Sequence, residues 1–157
     1  MSATTALRVL PAMAVSFPVG FPGLPGAHRF QLGPLGGGDR PNPFGRLTSL
    51  EPVCFSDGRV VHGIGVNVST TGILWPDLSV DIDDNAEAIL ELEDVGDAVV
   101  LAVVTLRHPV EASTANLFAP IIINVRRGLG VQFVPNAPEA TVGRYIHTPL
   151  PLPPSLS

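Results

Sequence analysis

Hydrophobic and polar positions follow two regimes along this chain. Over Ala98–Leu106 (AVVLAVVTL) and Leu117–Val125 (LFAPIIINV) most positions are apolar and rich in Val and Ile. Runs of this kind read as strands buried on both faces. Each is shorter than the ~20 residues that a membrane-spanning helix requires. Elsewhere the pattern alternates. Leu78, Val80 and Ile82 against Ser79, Asp81 and Asp83 predict a half-exposed strand within Leu74–Ile82. Asp83 or Asp84 then fits the N-cap of a short helix over Asn85–Leu92, with acidic residues in its first turn. Shorter strands are expected at Arg29–Leu32, Arg46–Phe55, Arg59–Val68 and Val131–Val134. The apolar run Leu117–Val125 extends as a strand to Arg127, and Arg127–Gly130 is its turn. Residues 1–15 are weakly patterned, with room for one edge strand, and Phe17–Gly26 (FPVGFPGLPG) reads as an extended loop with tight turns.

Composition sharpens this. The chain has 157 residues, of which 17 are Pro and 16 Gly, which disfavours long helices and suits short strands with many turns. The expectation is an all-β fold, mainly antiparallel: a small β-barrel or barrel-like sandwich with one short helix. It forms one domain over residues 1–150, with 151–157 a Pro-rich, disordered tail. Cys54 is the sole cysteine, so no intramolecular disulfide can form, which suits a reducing compartment. Its setting between Val53 and Phe55 reads as that of a small buried hydrophobe. Pro11 interrupts the apolar run Val9–Phe17, which is short for a signal peptide, so a cytoplasmic location is expected.

The chain offers no credible catalytic set. Asp81-x-Asp83-x-Asn85 opens like a calcium loop, but Ala86 stands where Gly is needed and Leu92 where a bidentate Glu belongs. Cys54, His108 and Asn116 have no local sign of a thiol triad. The four histidines lack metal-ligand spacing and read as surface or turn residues. Neither the Gly36–Gly38 run nor Gly63-Ile64-Gly65 completes a phosphate or dinucleotide fingerprint. No cofactor is expected.

Charge is the better clue. All nine basic residues are Arg, and the net charge is −5, which does not suit direct nucleic-acid binding. From Gly63 through Leu106 there is no Arg, Lys or His, while nine of the 14 acids lie there: Asp77, Asp81, Asp83, Asp84, Glu87, Glu91, Glu93, Asp94 and Asp97. Such a run is either a solvated face that keeps a β protein soluble or a patch that steers a basic partner. Asp77, Asp81, Asp83, Asp84 and Glu87 are the candidate contacts. Asn116, among apolar neighbours at a strand entrance, is either a turn-fixing amide or a partner contact, and Phe118 beside it joins the candidates. Val100, Ala102, Val104, Leu117, Ile121 and Ile123 are expected to be buried in adjacent antiparallel strands.

An ordered set of motifs resembles the flagellar assembly factor FliW family. Phe17–Gly23 resembles its F-P-x-G-I-P-G loop, Arg29–Pro34 its R-F-x-L-x-P strand and Trp75–Asp77 its F-P-D-Y segment. Val99–Thr105 is similar to V-L-V-L-A-I-V-T. Thr114–Leu117, Ala119–Ile121 and Ile123–Asn124 fit T-A-N-L-L-A-P-I-V-I-N. Gly130 and Gln132 fit a G-x-Q step, and His147 before Pro149-Leu150 approximates the H-P-L ending. The family's amino-terminal strand is not recognisable before Phe17, and Thr148 interrupts the closing motif. The resemblance implies a cytoplasmic, non-enzymatic β-barrel. It would bind the translational regulator CsrA, relieve repression of flagellin synthesis, and bind flagellin, exchanging one partner for the other. The alternatives are a flagellin-only chaperone, or a small β-barrel ligand-binding protein or enzyme.

Overall fold

The computed structural model describes residues 2–3, 10–35, 43–75, 78–133 and 147–150. Its elements are β1 (Ser2–Ala3), β2 (Met13–Ser16), β3 (Arg29–Pro34), β4 (Phe44–Ser49), β5 (Val53–Cys54), β6 (Val60–Val61), β7 (Gly65–Thr70) and the single turn α1 (Thr71–Leu74). Then come β8 (Val80–Asp81), α2 (Asp84–Leu90), β9 (Ala98–Thr105), β10 (Thr114–Asn124), β11 (Leu129–Gln132) and β12 (Thr148–Pro149). Seven strands pair in the order β11-β2-β3-β4-β7-β9-β10, and β10 pairs again with β11, which closes the sheet into a barrel. Every rung is antiparallel except at β2–β11, a parallel contact through Leu129 and Ser16. The pair β1–β8 and the pair β5–β6 form two small satellite sheets.

The strands β9 and β10 carry the fold because both their faces are covered. Val99, Leu101, Ile121 and Ile123 point into the barrel with Val15, Phe17, Phe30, Leu32, Leu47 and Val68. Outside, Ala98, Val100 and Ile122 lie under α2 with Ile82, Ala86, Leu90 and Val131. Farther along, Ala102, Val104 and Ala115 pack with Leu74 and Leu150. The expected burial of Val100, Ala102, Val104, Ile121 and Ile123 holds, but the first three face outward and the two isoleucines inward. Leu117 is half-buried rather than buried.

Several other expectations are corrected. The strand foreseen over Leu74–Ile82 shrinks to Val80–Asp81, because Leu74 ends α1 and packs against Ala102 and Val104. Arg46–Phe55 and Arg59–Val68 each break in two, the second at Gly63, whose φ of 66° turns the chain. The β10–β11 turn is Val125–Gly128, two residues earlier than expected, and β11 begins at Leu129. Met13–Ser16 is a barrel strand, not an edge. Cys54 is exposed, because Val53 takes the inward side of this two-residue strand and alternation turns Cys54 out. The Pro-rich tail 151–157 lies outside the described residues.

The loop Phe17–Gly26 turns tightly, with Gly20, Gly23 and Gly26 at φ 82°, 85° and 87°. It also supplies core: Phe17 and Phe21 pack with Phe30 at centroid distances of 5.3–5.4 Å. The Glu51 carboxylate fastens its end by accepting the backbone N–H of His28 and Arg29, both at 2.8 Å. These bonds hold the Glu51 carboxyl below its ordinary pKa. On the neighbouring strand β11, a side chain at Gly130 would come within 2.9 Å of Phe17 and 3.0 Å of Val15, so the packed interior requires glycine there.

Candidate partner-binding surface

The acidic segment becomes a shoulder because α2 is amphipathic. Ala86 and Leu90 face the barrel wall, while Asp84, Asn85 and Ala88 face solvent. Asp83 caps the helix as the sequence suggests: its Oδ1 accepts the Ala86 N–H at 2.7 Å. Asp84 and Glu87 sit in the first turn, where the helix dipole favours negative charge. The helix ends at Glu91 in the left-handed region (φ 50°). Asp94 then caps the following 3-10 turn, its Oδ1 accepting Gly96 N–H at 2.9 Å, and leads into β9. Asp81 is exposed on β8 and precedes the cap by two residues. The structure therefore brings Asp81, Asp83, Asp84 and Glu87 onto one shoulder. Asp77 lies outside the described residues.

Asn116 and Phe118 belong to a different feature, a bulge in β10. Asn116 pairs with Val103 and Ile121 with Leu101. Between these rungs β10 holds Leu117, Phe118, Ala119 and Pro120, whereas β9 holds Ala102 alone. The extra residues leave the ladder, so their backbone groups need other partners. Asn116 Oδ1 accepts the N–H of Phe118 (3.0 Å) and of Ala119 (3.1 Å). Gln132 Nε2 donates to Ala119 O at 3.1 Å, and Phe133 N–H to Pro120 O at 2.9 Å. The turn-fixing reading of Asn116 is thus realised in its geometry. Leu117 leans on the cluster around Ala102 and Val104, with Phe44 and Trp75 beside it. Phe118 stays half-exposed. Phe133 links the two features, because it also packs against the cluster beneath α2.

Two contributors escaped the sequence reading. Arg127, on the β10–β11 turn, lies 3.6 Å from Glu91 and 3.7 Å from Glu93. Asn124, at the end of β10, bonds to both α2 and that turn. The available signal was an Asn closing an apolar strand just ahead of a turn, a position where its amide binds local backbone. The groups weighed for other chemistry stay apart. Cys54 is exposed on β5, Asn116 is engaged in the bulge, and all four histidines are exposed. Among the described residues no group of three or more His, Cys, Asp or Glu could hold a metal ion. Among them, too, no helix is long and apolar enough to cross a membrane.

The family model described as FliW protein matches residues 2–146. A flagellar assembly factor FliW from Bacillus licheniformis is 31% identical over 120 residues, which cover 76% of each chain. One from Bacillus velezensis is 30% identical over 128 residues, covering 82% of this chain and 81% of its own. A crystal structure of the flagellar assembly factor FliW superposes with a TM-score of 0.70 over 98% of both chains, at 24% identity, and shares the fold.

Proposed function

The chain belongs to the FliW family of flagellar assembly factors, and from that premise we propose that it works by holding protein partners in alternation, a CsrA-type translational regulator and flagellin. Binding CsrA relieves repression of flagellin synthesis; binding flagellin, as a chaperone would, withdraws the protein from CsrA. It acts in the cytoplasm, as a single domain over residues 1–150 and without catalysis. The observation that carries this reading is the shoulder formed by the exposed Asp81, Asp83 and Asp84 with the half-buried Glu87. It stands on a capped helix, within a stretch of chain that holds no cation from Gly63 to Leu106. An RNA-binding partner with basic surfaces meets such a face favourably. Phe118 on the β10 bulge offers a half-exposed aromatic for a second contact. The packed barrel interior favours a surface binder over a carrier of small ligands, since Phe17, Phe30, Leu32, Leu47, Leu101, Ile121 and Ile123 are fully buried there.

The test is surface plasmon resonance with CsrA and with flagellin, at low and high salt. Wild type is compared with a variant carrying Asp81→Asn, Asp83→Asn, Asp84→Asn and Glu87→Gln. Asn still caps a helix, so α2 survives the change. CsrA is expected to associate more slowly with the variant and with rising salt, with dissociation changing less. Equal binding by both proteins at both salt levels overturns the shoulder as the contact. A chain that captures flagellin but never CsrA is a chaperone only.

A further inference from the structure

The strands β3, β4 and β7 hold no acidic residue, and their outward side is a surface apart from the acidic shoulder. Leu47 points into the barrel core, so alternation turns Phe44 and Arg46 outward. Arg46 is exposed, yet its guanidinium lies down on the sheet. A Cβ at Gly65 would overlap Nε, Cζ and Nη2 of Arg46, so glycine opens the seat. Arg29, Arg59 and Arg127 each pair with a carboxylate; among the described residues, Arg46 pairs with none.

The adjoining rungs complete the face. Arg46 stands opposite Asn67, and Phe44 opposite Ser69, whose other neighbour is Ala102. Asn67 Oδ1 and Ser69 Oγ are shut from solvent and, among the described residues, have no hydrogen-bond partner. Ser69 is wholly buried, and both its cross-strand neighbours belong to the outer apolar cluster, so its hydroxyl is aimed into that cluster. A buried polar atom without a partner costs stability, and here two stand on one strand face. Phe44, Trp75 and Leu117 are the half-buried members of the cluster and form an apolar rim.

Charge sets the occupant. A seated cation with no acid around it takes a carboxylate. Arg46 and Phe44 lie two residues apart on one strand, the spacing at which an extended chain presents side chains to one side. We propose that this face docks an extended segment of a partner protein in which Asp or Glu lies two positions from a large apolar residue. The carboxylate pairs with Arg46, and the apolar side chain packs on Phe44, Trp75 and Leu117. Backbone N–H groups of the segment supply the donors that Asn67 Oδ1 and Ser69 Oγ lack, the Phe44 ring turning off the Ser69 hydroxyl to admit them. The site is independent of the shoulder: this face takes an acid, the shoulder a base.

Trp75 is the chain's only tryptophan and sits in the rim, so its fluorescence reports occupancy. The probes are acetylated and amidated pentapeptides titrated into the full chain at low salt. They are Thr-Glu-Thr-Leu-Thr, the same peptide with Lys for Glu or Ala for Leu, and Thr-Thr-Glu-Leu-Thr, where acid and leucine adjoin. The first should bind in about the millimolar range, the Ala peptide about tenfold more weakly and the Lys peptide about 5–10-fold more weakly. Arg46→Gln should cost the first peptide about 2–5-fold, and Arg46→Glu should make the Lys peptide the tighter binder. Arg46 is exposed, so both variants should melt near the wild-type temperature. Ser69→Ala should melt no lower than wild type, since the free protein gains nothing from that hydroxyl, yet bind the first peptide more weakly. No fluorescence change with any peptide, or equal affinity for the Glu and Lys peptides, overturns the site. A preference for Glu retained by Arg46→Glu overturns Arg46 as its anchor. Equal binding of the adjoining peptide overturns the extended register, and binding untouched by Ser69→Ala overturns the backbone contact. The shoulder stands or falls separately from each of these results.

Discussion

Replacing Asn116 with Ala separates a structural amide from a contact residue. The side-chain oxygen accepts two backbone N–H groups, from Phe118 at 3.0 Å and Ala119 at 3.1 Å. Both donors sit in the bulge, where β9 offers no opposing rung. A typical hydrogen bond contributes a net ~1 kcal/mol, and stranding a partly buried donor costs at least as much. Asn116→Ala should therefore destabilise the protein by about 2 kcal/mol. For a chain of this size that lowers the melting temperature by about 4–8 °C. Calorimetry reads the shift, and hydrogen exchange locates it: the Phe118 and Ala119 amides should lose protection first. Asn116→Asp keeps an acceptor at the same place and should recover most of the loss. A melting temperature within about 1 °C of wild type, with both amides still protected, would refute the reasoning. Asn116 would then be a contact residue whose bonds to the bulge are incidental.

Ile122→Ala removes a fully buried side chain from beneath α2 and should cost ~2–5 kcal/mol, read by urea denaturation; a loss below about 1 kcal/mol would mean the helix settles into the space. Glu51 is held below its ordinary pKa by the amides of His28 and Arg29, so its contribution is present above the unfolded-state value near 4.5 and fades as pH falls below it. Glu51→Gln should therefore flatten the loss of stability on acidification, measured as melting temperature against pH between 3 and 7, and an unchanged acid limb would show that the clasp does not couple to folding.

What the sequence disclosed and what it hid divide along physical lines. Ala98–Leu106 and Leu117–Val125 announced doubly covered strands, because a residue buried on either side of a sheet must be apolar. The Asp83 cap and the Asn116 turn were legible because each is a bond to backbone within three residues. The face each residue takes was not. Val100 pairs with Ile122, Ile121 with Leu101, and the bulge shifts the register between the two halves of β10. Alternation alone does not give a register. The closing strand Met13–Ser16 was obscure because it is short and joins β11 by one parallel rung. Asn124 was hidden for another reason. Its partner Leu90 lies 34 positions away, and only the fold brings them together.

The same architecture separates stability from recognition. The inward side of α2 seals the apolar outer wall of β9 and β10, and its outward side carries the acids. Substituting Ile122 acts through the core, whereas neutralising Asp84 or Glu87 acts through the field outside it. Exposed charges contribute little to folding, so a shoulder variant that binds a partner poorly should still melt near the wild-type temperature. The proposed alternation between two partners needs only modest energies, since ~1.4 kcal/mol is a tenfold change in affinity. On the proposed function, the barrel supplies a fixed frame and the acidic shoulder on it the contact for a basic partner.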